Sequence, residues 1–387
     1  MSLSILNRKS FIISRDMWIM LGYFALIIIG LFFMLNINSH RTSLTYFYKQ
    51  ALFSALAVGA MFAAYKLPDM EKIRDWRYIF LAITMVLLIL VLIIGVEVNG
   101  ARRSLRIGPI SLQPSLIARI FLIFYFALVL DERKDRIEDS TIKGFFRHFL
   151  PLVITPIAIW TLILFEKHFS TLVISFFTLL GMLWAARIKT RTILLILALA
   201  IAGGVGILSY GSNFRKTRIK LFREYSLWGR VFGSENETRY NFEGKDYQVK
   251  ESLTALSSGK LIGTGVDKGR GKQYFLPEAK TDYVFAIIGE EFGFLGALVV
   301  FGIYAIIFFR ASFGSWKKES LYMQLFGLGL ALNLFLNVMV NIGVAMAALP
   351  STGVTLPFIS YGGTSLVINS VAIGLILNIT ARRKEIW

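Results

Sequence analysis

The chain is assembled from apolar blocks of roughly 17 to 25 residues, and this feature constrains its fold more than any other. A helix rises 1.5 Å per residue, so each block can cross a hydrocarbon core of about 30 Å. Strict period-2 alternation, which a membrane β-barrel needs, is absent. Only 17% of the 387 residues are charged, against about 25% in soluble domains, while 56% are hydrophobic. The reading is an all-α polytopic membrane protein, a single integral membrane domain over 1–387. Ten spans are predicted, near 17–36, 47–65, 78–96, 115–130, 149–165, 170–186, 193–210, 283–309, 325–347 and 365–380.

An even number of spans puts both termini on one side. The short links on that side carry 21 Lys and Arg against 6 on the other, Lys49 at the edge of the second span included, so both termini are predicted to be cytoplasmic. The net charge of +18 is spread over these links rather than gathered on one face. It therefore points to membrane orientation and away from nucleic acid. There is no cysteine, which excludes disulfides and thiolate metal sites. The first block is too long for a signal-peptide core and no small-residue cleavage site follows it, so it reads as a retained helix.

One link breaks the plan. Residues 211–282 form a loop of roughly 70 residues between spans seven and eight, on the extracytoplasmic side. Two shorter outside links are also unusual. Residues 99–114 carry three arginines, and 349–365 carries two prolines and three glycines but no charge. Non-helical backbone at membrane depth is tolerated where protein buries it or where it lines a cavity. Convergence of 99–114, 247–285 and 349–365 on one outer cavity is the resulting expectation.

Ionisable groups inside apolar blocks are costly and mark sites. Arg119 lies in span four, with Glu290 and Glu291 in span eight. Either Arg119 neutralises one of these glutamates, or it faces a polar ligand from outside. Asp282, in FLPEAKTDYVF (275–285), stands immediately before the apolar run of span eight. On position alone it is a helix N-cap or a carboxylate available for chemistry. Lys268, Arg270 and Lys272 lie just upstream in a Gly-punctuated stretch suited to diphosphate oxygens or to steering anionic headgroups. His40, His148 and His168 lack metal-ligand spacing and read as packing or interfacial residues.

Four stretches resemble one family: NGARRSLRIGPISLQPS (99–115), YQVKESLTALSSGKLIGTG (247–265), GRGKQYFLPEAKTDYVFAIIGEEFGFLG (269–296) and LPSTGVTLPFISYGGTSLVINSVAIGLILNI (349–379). They are similar to the SEDS family of FtsW, RodA and SpoVE. FEKHFSTLVI (165–174) and the SLTALSSG pattern lean towards the FtsW and SpoVE branch. The resemblance implies a peptidoglycan glycosyltransferase that polymerises lipid II by inverting hexosyl transfer at the outer face of the bacterial cytoplasmic membrane. It implies a class B penicillin-binding protein as partner, in division or elongation, and places the family's essential aspartate on Asp282. Arg102, Arg103, Arg119, Lys268, Arg270, Lys272, Glu290, Ser360, Gly362 and Thr364 are the candidate substrate contacts. A divalent cation, Mg2+ or Mn2+, could share the diphosphate, but no carboxylate cluster specifies one. The chain departs from the family pattern at Ser104, where Trp is usual, and at Leu116, where Glu precedes the basic residue by one turn. Lys280 takes a place more often held by His, Gln or Asn. A lipid flippase and a non-catalytic scaffold for the transpeptidase are the competing functions; neither gives the LPEAKTD block a reason.

Overall fold

A computed structural model describes residues 3–38, 44–67, 70–98, 101–107, 110–209, 245–269 and 280–381. In chain order the helices are α1 (Leu3–Asn38), α2 (Thr45–Tyr65), α3 (Met70–Ile73), α4 (Arg77–Ile94), α5 (Pro114–Glu132), α6 (Ile142–His148), α7 (Pro151–Phe165), α8 (Phe169–Ala185) and α9 (Thr190–Ser209). They continue with α10 (Lys245–Gly259), α11 (Val284–Trp316), α12 (Leu321–Ala345) and α13 (Gly363–Thr380). Among the described residues seven helical segments are long and apolar enough to span a bilayer. The pair α6 and α7, bent by 75° across its break, makes an eighth. Helices α8 and α9 are also apolar but fall short of that length in their apolar portions. The protein is thus a polytopic helical membrane protein, and the predicted blocks coincide with its helices.

Burial sorts these helices into a centre and a rim. In α5, 78% of the apolar window is buried, against 17% for Met70–Ile94, so α5 is enclosed while the segment through α4 presents its side chains outward. A helix apolar all round belongs either in a core or against lipid. Here both cases occur side by side. Helix α13 lies along α2, where the Asn378 amide donates to the carbonyls of Tyr65 and Leu67 at 2.8 and 2.9 Å. Tyr23 of α1 donates to Ser370 Oγ at 2.9 Å, securing the same helix from the other side.

The link between α4 and α5 is not irregular coil. It forms a three-stranded antiparallel sheet, β1 (Val96–Val98), β2 (Ala101–Ile107) and β3 (Ile110–Leu112), in the order β1-β2-β3. This small sheet refines the all-α expectation. Alternation along β2 sends Arg103 and Leu105 one way and Arg102 and Arg106 the other. Leu105 is buried, whereas Arg102 and Arg106 are exposed.

Helix α11 is broken. Gly293 sits at φ 68°, ψ −168°, a conformation essentially restricted to glycine, so the helix has a short N-terminal half and a long C-terminal one. A break orphans carbonyls at one edge and amides at the other. Both sets are satisfied by the segment that follows α10. The amides of Thr264 and Gly265 donate to the carbonyls of Glu290 and Glu291 at 2.9 and 3.1 Å. In return the amides of Phe294 and Leu295 donate to the carbonyls of Lys260 and Leu261 at 2.9 and 3.1 Å. The approach is so close that a Cβ on Gly293 would stand 2.4 Å from the Gly263 nitrogen. Gly293→Ala is therefore expected to cost at least about 1–3 kcal/mol, read as a lower thermal unfolding midpoint in detergent. Gly302→Ala, in the same helix with open space around it, should leave the midpoint unchanged or slightly higher.

Candidate active site

The site is built around the uncharged segment 349–362, whose backbone runs without regular structure between buried helices. Its carbonyls would each cost free energy if left unpaired in a dry bundle. Side chains from four helices supply donors. Ser170 of α8 donates to the Thr352 carbonyl at 2.9 Å, and Asn341 of α12 to that of Val354 at 2.7 Å. Tyr304 of α11 donates to the Pro357 carbonyl, and Gln50 of α2 to that of Ser360 at 3.2 Å. Within the segment, Ser360 Oγ accepts the Leu356 amide at 2.9 Å and donates to the Thr281 carbonyl.

That last bond brings in the turn carrying Asp282. The Tyr361 amide donates to the Lys280 carbonyl at 2.7 Å, and the Asn341 amide group donates to the carbonyl of Asp282 itself at 2.9 Å. Asp282 is partly buried, and its carboxylate lies beside Gly353. The N-cap position of α11 falls on Tyr283, with no side-chain cap, so Asp282 stands one residue outside the helix. Lys280 lies over the Tyr46 ring at 3.7 Å, and Tyr46 meets Tyr361 edge-on at 5.2 Å. On the remaining side Thr364 donates to the Ser111 carbonyl of β3, which ties the small sheet to α13.

The three outside links therefore meet through named hydrogen bonds. The intramembrane charges do not meet as expected. Arg119 donates to Asn337 Oδ1 at 3.0 Å, while Glu291 accepts from Asn36 of α1, so the arginine is held by α12 rather than by a glutamate. Glu290 faces Gly269, where a Cβ would stand 2.9 Å from Glu290 Oε2. Asn333, Asn337 and Asn341 are all buried and recur every fourth residue, hence on one face of α12. Asn337 holds Arg119 and Asn341 holds the Asp282 backbone, one helical turn of about 5.4 Å apart. This ladder couples the guanidinium to the aspartate.

Sequence reasoning missed the ladder, although asparagines at i, i+4 and i+8 in an apolar helix were a visible signal. It also missed a buried polar cluster at the outer end of α7. His168 Nδ1 lies 3.1 Å from Gln113 Nε2, 3.0 Å from Ser115 Oγ and 3.0 Å from Thr171 Oγ1. An amide nitrogen can only donate, so Nδ1 accepts and the ring proton sits on Nε2. Burial, reinforced by the Arg103 and Arg119 charges, pushes His168 down to about 3 and keeps it neutral. Glu166, just past α7, is fully buried, with Ser115 and Arg103 as its neighbours. Among the described residues neither of its carboxylate oxygens has a hydrogen bond of normal geometry. Burial raises it to about 8, against the opposing pull of Ser115 and Arg103.

The remaining predicted residues are dispersed. Arg103 donates to the Lys167 carbonyl at 2.7 Å, inward beside Glu166, whereas Arg102 is exposed and pairs with Glu97 at 3.5 Å. Lys268 is exposed on the strap after α10. Gly362 begins α13 in an extended conformation, accepting the Leu366 amide at 2.8 Å. Arg270 and Lys272 lie outside the described residues. Leu116 is buried in the core and supplies no carboxylate there.

Fold and site together define a class: a polytopic membrane protein with a carboxylate at a helix mouth, buried arginine behind it and basic strands above. The model of the FtsW, RodA and SpoVE family, described as a cell cycle protein, matches residues 9–385, and the chain belongs to that family. It is 33% identical to the probable peptidoglycan glycosyltransferase FtsW of Coxiella burnetii over 381 residues, 95% of this chain and 96% of that one. It is 30% identical to the stage V sporulation protein E of Bacillus subtilis, covering 86% of each. Among solved structures it resembles a chain of a peptidoglycan synthase complex, with a TM-score of 0.74 at 23% identity over 94% of this chain and 96% of that one. RodA of Thermus thermophilus follows at 0.67 and 23% identity over 95% and 97%. These two likenesses establish the fold.

Glu166 yields a pH signature. Its folded value of about 8 exceeds its ordinary 4.5, so between those values the native state holds a proton that the unfolded chain has lost. Stability conferred by the protonated group therefore falls as pH rises through that window. Glu166→Gln should match the wild-type unfolding midpoint at pH 4.5 and exceed it progressively up to pH 8. A difference independent of pH would remove the buried, protonated assignment.

Proposed function

We propose that the chain polymerises lipid II into glycan strands by inverting hexosyl transfer, with Asp282 as general base. The observation that carries this reading is the placement of Asp282 outside the α11 mouth, its backbone held by Asn341 and Arg119 held one turn away on the same helix face. The Asp282 carboxylate removes the proton from the acceptor sugar hydroxyl. That oxygen bonds to the anomeric carbon of the donor sugar as the bond to the diphosphate oxygen breaks. The lipid diphosphate departs with the electron pair, and guanidinium charge lowers the energy of the developing anion. Arg103 and Arg119 are the inward-facing cations for this role, with Arg102 and Lys268 nearer the entrance and Arg270 and Lys272 assigned to it from the sequence. Ser360, Gly362 and Thr364 act through the segment that shapes the mouth, and Glu290 through its contact with the strap.

The topology proposed with it has ten spans, both termini cytoplasmic and 211–282 outside. It is supported by the seven long apolar helical segments, the bent pair and the two shorter apolar helices, together with the excess of basic residues in alternate links. A class B penicillin-binding protein is the proposed partner, consistent with a structural likeness to a synthase complex. The similarity to FtsW and stage V sporulation protein E relatives favours the FtsW-like reading, in division, over the RodA-like one, in elongation.

The purified chain, supplied with lipid II with and without a class B transpeptidase, tests the assignment. Asp282→Asn should lower polymer formation by about 10²–10⁴-fold, the usual contribution of a positioned base. Polymer made at the wild-type rate by this variant would sink the assignment. Lipid translocation without polymer under every condition would favour a flippase, and neither activity would favour a scaffold.

A further inference from the structure

A groove lies at the opposite end of α11 from Asp282. It has a volume of about 490 Å³ and runs between α1, the end of α11 and the end of α13. Phe309, Arg310, Phe313, Gly314 and Lys317 of α11 line it, facing Ile19 and Thr380. Arg310, Phe313 or Gly314, and Lys317 follow one another at helical spacing, so the two cations share a face about 10.5 Å apart along the axis. Arg310 lies over the Trp18 ring at 5.7 Å. The ion pairs among the described residues lie elsewhere. Lys318 is already used, donating to the Ala381 carbonyl at 2.7 Å.

Depth decides what kind of anion these cations meet. From the break at Gly293 to Lys317 is about 36 Å of continuous helix, more than the roughly 30 Å hydrocarbon core, so Lys317 reaches the headgroup level at that end and the long Arg310 side chain extends towards it. Trp18 fits that level, where amphipathic rings concentrate. The walls below are apolar, with Phe309 and Phe313 both largely exposed. A soluble anion would leave those rings uncovered, whereas a lipid covers them and supplies the phosphate. Of the lined stretch of α11, Ala305 to Lys317, about 10.5 Å separates the two cations and about 7.5 Å lies on the membrane side of Arg310. The groove thus takes a phosphate and the first part of an acyl chain, whose remainder continues into the leaflet.

We propose that this groove is a binding site for an anionic glycerophospholipid, its phosphate between Arg310 and Lys317 and an acyl chain along Phe309 and Phe313. The proposal requires only that the bundle spans a membrane and is independent of the chemistry at Asp282. Basic pockets between helices at a membrane surface recognise anionic headgroups by this combination of charge and shape.

Native mass spectrometry of the full chain, exchanged into equimolar phosphatidylglycerol and phosphatidylcholine, tests it. The wild type should retain phosphatidylglycerol at least 10-fold in preference. Arg310→Gln with Lys317→Gln should abolish that preference, and Arg310→Lys should keep most of it. Lys72→Gln with Lys143→Gln, which removes two cations elsewhere, should leave it intact. If the first double variant fails to fold, Lys317→Gln alone, at an exposed helix end, should still reduce the preference several-fold. Equal retention of the two lipids by the wild type, or an undiminished preference in the folded Arg310 and Lys317 variants, would overturn the site. Displacement of phosphatidylglycerol by equimolar undecaprenyl phosphate would overturn the assignment to a phospholipid.

Discussion

The pairing of irregular backbone inside a dry helical bundle is the constraint on which this structure depends. Residues 349–362 cannot satisfy their own carbonyls, so α2, α8, α11 and α12 each commit a buried polar side chain to them. Those commitments fix the spacing of the four helices as much as apolar packing does. In hydrocarbon there is no hydrophobic force between helices, and polar contacts and close packing carry association. The segment that forms the mouth of the site is therefore also the hub of the bundle.

The same economy explains how charge is handled. Arg119 is held by a neutral amide rather than by a carboxylate, so the bond that holds it does not cancel its positive charge. Asp282 is positioned through its carbonyl, which accepts from Asn341. Buried ion pairs often return less than their desolvation costs. Asparagines position both groups without that cost and without a titrating partner. His168, held neutral beside Arg103 and Arg119, adds a polar neighbour that does not compete for their charge.

Much of the plan was legible in the sequence because its signals were long. Apolar blocks, the charge asymmetry of the links and the Gly- and Pro-rich 349–365 stretch each integrate over many residues. The mouth of the site was legible through Asp282 and through the expectation that three irregular links converge. What escaped was pairwise. Whether Arg119 meets Glu290, Glu291 or an asparagine depends on how α5, α11 and α12 are rotated about their axes, which no local pattern encodes. The small sheet escaped because three-residue strands carry little periodicity. Glu166 and His168 were readable as ionisable residues at the edge of an apolar block, yet their burial depends on α5 and α8 closing over them.

The break at Gly293 makes the N-terminal nine residues of α11 a separate lever. Their C-terminal edge is hydrogen-bonded to the strap at 260–265 rather than continuing the ladder of the membrane-crossing half. The position of Asp282 is thus referenced to the strap that follows α10, through the backbone bonds to Glu290 and Glu291, as well as to the fixed frame of α12. Displacement of α10 has a direct mechanical route to this end of α11 and to the turn that carries Asp282.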